Sequence, residues 1–258
     1  MSNSLYFCHN QVTDIIIVKG TSMAFSRYCL ELRRKKELSQ LELSEILGLS
    51  FSQLRNLEKE RTKLPKPEVF QRLAEYLGKD VFDVAYDVFF NDDGQKMTDD
   101  PSIEINRNYL VSRWLDGYML DPNICFTADN GRQMQFDGSF WAPSHGRRKC
   151  LIGYCHQDAY LSALDDLDKT NSLKKAIISD SFFIETLDDT DSIKEVRFVL
   201  DKNSETDRHI FSEIKNIHLF NLGKNIDISY VLFDSNSKRS DSQPELHYVT
   251  GRSSKIDL

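Results

Sequence analysis

Residues 38–65, LSQLELSEILGLSFSQLRNLEKERTKLP, decide the fold of the N-terminal part of the chain. Ser39 is followed by Glu42, and eleven residues after Ser39 comes Ser50, which is followed by Gln53. In this S-x-x-E/Q spacing, the hydroxyl and the carboxylate or amide satisfy unpaired backbone amides at the start of a helix. The stretch therefore predicts two short helices in close succession.

The connection between the two predicted helices is also specified locally. Leu38 and Leu43 flank the first helix start, and Leu49 and Leu54 flank the second, with the spacing of a hydrophobic staple. Gly48 stands where the first helix must end and the chain reverse, because glycine adopts positive φ without a Cβ penalty. One apolar side is predicted to join the helices, formed by Leu43, Ile46, Leu47, Leu49, Leu54 and Leu57.

The outward side of the second helix is polar but carries no acidic residue. Its members are Phe51, Ser52, Gln53, Arg55 and Asn56. Amide, hydroxyl and guanidinium groups at these positions can bond base edges and phosphates when a helix lies in a major groove. The alternative is an αα-hairpin within a helical bundle that has no nucleic-acid partner.

These residues resemble the helix-turn-helix of the Cro and phage-repressor class, known as the XRE family. The resemblance runs over residues 25–84 and rests on the runs LELRRKKELSQ, ELSEILGLS, LEKERTKLP and FQRLAEYLGKDVFDV. It implies an all-helical DNA-binding domain with three groups of contacts. Arg33 and Gln40 would contact phosphates, and Arg61 and Lys63 would contact the DNA backbone. The residues that would face bases are Phe51, Ser52, Gln53, Arg55 and Asn56, and Ser50 completes the predicted DNA-binding set.

Three positions depart from the commonest pattern of that class. Ser44 stands where a small Ala usually packs at the helix crossing, and Glu60 stands where Gly usually follows the second helix. Phe51 is unusual at a base-facing position. Its ring has two interpretations, contact with a thymine methyl group or packing within the protein.

Charge is segregated along the chain. The whole protein has a formal charge of −7 and a pI near 5.4. Residues 22–66 hold ten Lys and Arg against six Glu, a net charge of +4, which leaves −11 for the rest. A basic segment on an acidic body favours phosphate attraction that depends on salt and orients docking. The basic run at residues 33–36 is equally typical of a solvated helix end.

The cysteines and the hydropathy pattern indicate a cytoplasmic protein. Five cysteines, an odd number without a disulfide framework, favour reduced thiols. Cys150, Cys155 and His156 suggest a metal site, but only the distant Cys125 and His145 could complete it, so a buried role is preferred and no metal or cofactor is expected. No apolar run approaches the roughly twenty residues of a membrane helix.

The predicted fold class is multi-domain, an N-terminal all-α helix-turn-helix domain followed by a mixed α/β (α+β) C-terminal domain. Residues 1–22 form an N-terminal extension in which residues 15–18 favour a strand. The DNA-binding domain occupies 23–90 and a linker 91–104, rich in turn-forming and acidic residues. A mixed α/β dimerisation or sensing domain follows at 105–234, and a polar tail at 235–258.

The order of elements in the second domain is similar to nucleases of the restriction-endonuclease-like fold. Asp137 would match their first metal-binding carboxylate. Where those nucleases have Glu-x-Lys, this chain reads Gly153, Tyr154 and Cys155, so the magnesium chemistry is expected to be absent. The preferred interpretation of Asp137 is a turn residue in FDGS.

Together these patterns predict a cytoplasmic, sequence-specific transcriptional regulator, a repressor that binds double-stranded DNA at an inverted-repeat operator as a homodimer. It is not expected to be an enzyme or to need a cofactor, and its C-terminal domain is expected to dimerise or to respond to a protein or small-molecule effector. The alternatives are a DNA-targeted nuclease and an antitoxin-type protein that binds a partner through its second domain.

Overall fold

The computed structural model describes residues 20–59, 65–90, 101–127, 133–142, 149–153, 157–185, 193–219, 226–236 and 244–250. The described helices are α1 Gly20–Lys36, α2 Gln40–Leu47, α3 Phe51–Glu58, α4 Pro67–Leu77, α5 Val81–Phe90, α6 Pro101–Leu115, α7 Gln157–Leu164, α8 Lys169–Glu185 and α9 Glu205–Ile214. The described strands are β1 Met119–Thr127, β2 Gln133–Trp141, β3 Lys149–Gly153, β4 Ile193–Asp201, β5 Asp227–Phe233 and β6 Glu245–Thr250.

Helices α1 to α5 build the N-terminal part around one apolar centre. Phe25 of α1, Leu43 of α2, Leu54 of α3 and Phe70 of α4 are completely buried there. Helix α4 starts with Pro67, whose fixed φ suits the first turn of a helix, and ends at Gly78 in the left-handed conformation. The helices are short, so tertiary packing of their apolar sides supplies most of their stability.

Helices α6 to α9 and all six strands form the second part. The strands lie in the sheet in chain order, with β3, β4 and β5 parallel to one another and the other pairs antiparallel. Alternate residues of β4 point to opposite faces, Val199 into the cluster that contains α6 and Phe198 into the cluster that contains α9. The sheet is therefore covered on both faces. N-terminal helices followed by a mixed α/β layer confirm the predicted fold class.

One hydrophobic core joins the two parts of the chain. The Trp114 ring of α6 lies 4.5 Å from the Phe70 ring and 5.1 Å from the Phe89 ring, measured between centroids. Trp114 is 3% exposed. Helix α6 starts at Pro101, inside the 91–104 range predicted as a linker, and residues 91–100 lie outside the described residues. The helix that opens the second part is thus also a packing partner of the first.

Strand β6 lies within residues 235–258, the range that the sequence predicts as a polar tail. Its six residues pair antiparallel with β5, and Val249 and Thr250 are buried. The polar composition concealed the strand because β6 lies at the edge of the sheet, and its first four residues are exposed or half-buried. Strand β1 was not predicted either.

The N-terminal extension lies almost entirely outside the described residues, which begin at Gly20 with α1. The predicted strand at residues 15–18 therefore falls outside them. In the segments that the structure describes, no helix combines the length and apolar character needed to cross a membrane.

Candidate nucleic-acid interface

Both predicted capping boxes are present at the starts of α2 and α3. The Ser39 hydroxyl accepts from the Glu42 amide at 3.2 Å, and the Glu42 carboxylate accepts from the Ser39 amide at 2.8 Å. Ser50 and Gln53 repeat the arrangement at 3.2 and 2.8 Å. The hydrogen bonds from Ser39 lower the pKa of the Glu42 carboxyl. The sequence therefore fixes where each helix starts through contacts within four residues.

The turn between α2 and α3 depends on Gly48. This residue ends α2 with φ of 62°, in the left-handed region that glycine adopts at little cost. Its amide donates to the Glu45 carbonyl at 3.1 Å, and the Leu49 amide donates to the Ser44 carbonyl at 2.9 Å. The guanidinium of Arg72, from α4, lies against Gly48 and fills the space that a side chain there would need.

Packing of α2 and α3 leaves one side of α3 open. Leu43, Leu47, Leu54 and Leu57 are buried, as predicted, and Ile46 and Leu49 are partly buried. The exposed set on α3 and its cap is called the recognition ridge, and it consists of Ser50, Phe51, Ser52, Gln53, Arg55 and Asn56. Gln53 uses its carbonyl oxygen in the capping box, so this oxygen is committed to the helix start.

The two residues predicted to contact phosphates from α1 and α2 are held by one carboxylate. Arg33 Nε donates to Glu58 Oε1 at 2.7 Å, and Gln40 Nε2 donates to Glu58 Oε2 at 2.5 Å. The Glu58 side chain is 4% exposed and that of Arg33 22%. The Glu58 carbonyl also accepts from the Ser26 hydroxyl at 2.9 Å. Glu58 thus ties α1 and α2 to the end of α3.

The remaining predicted contacts, Arg61 and Lys63, fall in residues 60–64, outside the described residues, as does Glu60. Arg34, Lys35 and Lys36 are exposed at the end of α1, where cations interact favourably with the helix dipole. The end of α1 and the recognition ridge therefore both present exposed positive charge.

A helix-turn-helix family model matches residues 30–84. Residues 30–84 form a helix-turn-helix domain. The match spans the end of α1, all of α2, α3 and α4, and the start of α5, and it agrees with the Cro-type resemblance. It supports a DNA-binding regulator. No curated protein and no solved structure matches the chain.

Within the helix-turn-helix domain, Glu58 was missed as a structural residue by the sequence interpretation. The signal was present in the spacing, because residues at i, i+3 and i+4 share one side of a helix. Leu54 and Leu57 are buried, and Glu58 lies on the same side of α3. Its carboxylate is therefore directed into the protein. A buried carboxylate requires donors, which Arg33 and Gln40 supply.

In the second part, Asp137 is not the turn residue that was preferred from the sequence. It lies within β2 and is 2% exposed. Its carboxylate accepts from Asn106 Nδ2 of α6 at 2.7 Å. The neighbouring Gly138 serves close packing instead, since a Cβ there would lie 2.8 Å from both the Asp121 carbonyl oxygen and Leu110 Cδ1. The Asp-Gly pair was therefore a misleading turn signal.

Among the described residues, Asn106 lies between Asp137 and the end of β3. Asn106 Nδ2 also lies 3.5 Å from the Gly153 carbonyl oxygen, at the end of β3. Tyr154 and Cys155, the other two positions of the nuclease comparison, are outside the described residues, as is His156.

A second buried polar cluster crosses the sheet beneath α6. Arg197 of β4 donates to Glu195 Oε1 at 2.6 Å and to the Tyr109 hydroxyl at 2.6 Å. The Ser229 hydroxyl of β5 also donates to Glu195. Burial raises the pKa of the Tyr109 hydroxyl, which stays protonated. Since each charge has hydrogen-bonded partners, we assign the cluster to holding α6 on the sheet.

Proposed function

We propose that this protein is a transcriptional repressor that binds an inverted-repeat operator as a homodimer. The observation that carries the proposal is the recognition ridge, an exposed polar surface on a short capped helix inside the matched helix-turn-helix domain. In this class of motif, the second helix enters the major groove and its first residues contact base edges.

The dimer is part of the proposal for a geometric reason. One recognition helix reads only a few base pairs, so useful specificity in a genome needs two half-sites about one helical turn apart. Another part of the protein must then hold the two recognition helices at that distance. The shared core through Trp114 supports the second part in this role, because it attaches α6 and the sheet firmly to the helix-turn-helix domain.

Charge supports DNA as the partner. The segment 22–66 has a net charge of +4 and the remainder −11, so the basic face is attracted to the phosphates and the acidic remainder is repelled. The odd number of cysteines favours a reducing compartment, and we place the protein in the cytoplasm.

The proposal assigns no catalytic step to the second part. Asp137 accepts from Asn106 Nδ2, which also lies 3.5 Å from the Gly153 carbonyl oxygen, an arrangement that supports a structural role. This part dimerises or responds to an effector instead. Incubation of the protein with supercoiled plasmid and Mg²⁺ or Mn²⁺ tests whether the second part cleaves DNA. Nicking that is lost in Asp137→Ala would favour the nuclease alternative.

Selection of bound duplexes from a random library tests the function itself. We expect a palindromic sequence whose half-sites are about one helical turn apart. Affinity for the selected duplex should fall steeply with salt, and a duplex with one half-site should bind far more weakly than the full site. Recovery of unselected sequences at every salt concentration would refute the proposal.

A further inference from the structure

Phe51 is the apolar residue of the recognition ridge, whose other members are polar. It is the first residue of α3, and it is 47% exposed although Leu54 and Leu57 of the same helix are buried. The capping box between Ser50 and Gln53 holds the start of α3, which turns position 51 outward. Packing within the protein, one of the two sequence interpretations, therefore leaves about half of the residue exposed to water.

The chemistry of a phenyl ring limits what it can recognise in DNA. It has no hydrogen-bond donor and no conventional acceptor, whereas the other ridge residues have polar groups. Of the base atoms displayed in the major groove, the one apolar group is the methyl on C5 of thymine. A methylated cytosine carries a methyl group on the same ring atom.

We propose that Phe51 recognises a C5-methyl group on a pyrimidine in each half-site, as thymine or as 5-methylcytosine. The inference rests on the proposed function and names a determinant of its specificity. Burial of the exposed ring against the methyl removes apolar surface of both groups from water. Arg55 and Asn56, on the same ridge, supply the polar contacts.

Replacement of thymine by uracil tests the proposal because it removes only the methyl group. In the duplex obtained by selection, each thymine is changed to uracil in turn in both half-sites, and the Kd of wild-type protein and of Phe51→Ala is measured. At one position the affinity of the wild-type protein should fall about fourfold per half-site, equivalent to the ~0.8 kcal/mol of one buried methyl-sized group. Phe51→Ala should bind the thymine and uracil duplexes equally.

The same position then tests whether Phe51 recognises the methyl group of 5-methylcytosine as well as that of thymine. With cytosine or 5-methylcytosine placed there opposite guanine, the wild type should prefer 5-methylcytosine by the same factor by which it prefers thymine to uracil. In Phe51→Ala both preferences should vanish. A preference for only one of the methylated bases, or one that persists in Phe51→Ala, would overturn the proposal.

Two controls keep this result distinct from failure of the proposed function. Tyr76→Ala removes the aromatic side chain of a residue that is 41% exposed on α4, outside the recognition ridge, and should retain the wild-type discrimination. The thermal unfolding curve of Phe51→Ala should match the wild type, since alanine is a good helix former at an exposed position. A selected operator without any methyl effect contradicts the inference alone, whereas failure of the selection contradicts the proposed function.

Discussion

Replacement of Glu58 by alanine should strongly destabilise the helix-turn-helix domain. The carboxylate accepts Arg33 Nε at 2.7 Å and Gln40 Nε2 at 2.5 Å, and its side chain is 4% exposed. Removing one partner of a buried ion pair costs roughly 3–5 kcal/mol because the other charge loses its compensation. The Arg33 side chain retains 22% exposure, so we expect the lower end, about 3 kcal/mol.

Urea unfolding of the full chain, followed by circular dichroism, measures this loss as a lower midpoint at an unchanged slope. Glu245→Ala is the matched control, because Lys215 and Glu245 form an ion pair whose side chains are 46% and 53% exposed. An exposed pair contributes about 0–1 kcal/mol. If Glu58→Ala lowers the free energy of unfolding no more than Glu245→Ala does, Glu58 does not stabilise the packing of α1 and α2 on α3.

Three further predictions concern the turn, the shared core and pH. Gly48→Ala should lower the thermal midpoint and weaken DNA binding, since φ of 62° is unfavourable for alanine and Arg72 lies against that position; unchanged values would contradict this. Trp114→Ala should cost about 3–5 kcal/mol in urea unfolding and reduce DNA affinity, whereas loss of neither would disprove the shared core. Burial lowers the pKa of His247 below its usual 6.5, so stability should fall as pH drops below about 6.5, and His247→Gln should flatten that dependence.

The helix-turn-helix was predictable from the sequence because its determinants are local. Ser39 and Ser50 accept from amides three residues away, and Gly48 ends α2 by its own backbone conformation. The apolar side of α2 and α3 follows from helical periodicity alone. No long-range information was needed to predict where these helices start or which residues form the recognition ridge.

The features that the sequence did not predict depend on contacts between distant residues. Glu58 meets Arg33 across 25 positions, and Asp137 meets Asn106 across 31. Strand β6 is stabilised by pairing with β5, which local composition does not reveal. The contact of Trp114 with Phe70 likewise links segments on either side of the predicted linker. Such pairings are settled by tertiary packing, which overrides local propensity.

The central claim is that the recognition ridge reads base edges. The most direct test compares Asn56→Ala and Lys63→Ala across a panel of operators with single base-pair changes. We predict that Asn56→Ala loses about 1–3 kcal/mol on the selected site and no longer discriminates at one position of each half-site. Lys63→Ala should weaken all sequences alike and reduce the salt slope by about one. Equal weakening of every sequence by Asn56→Ala would contradict the account.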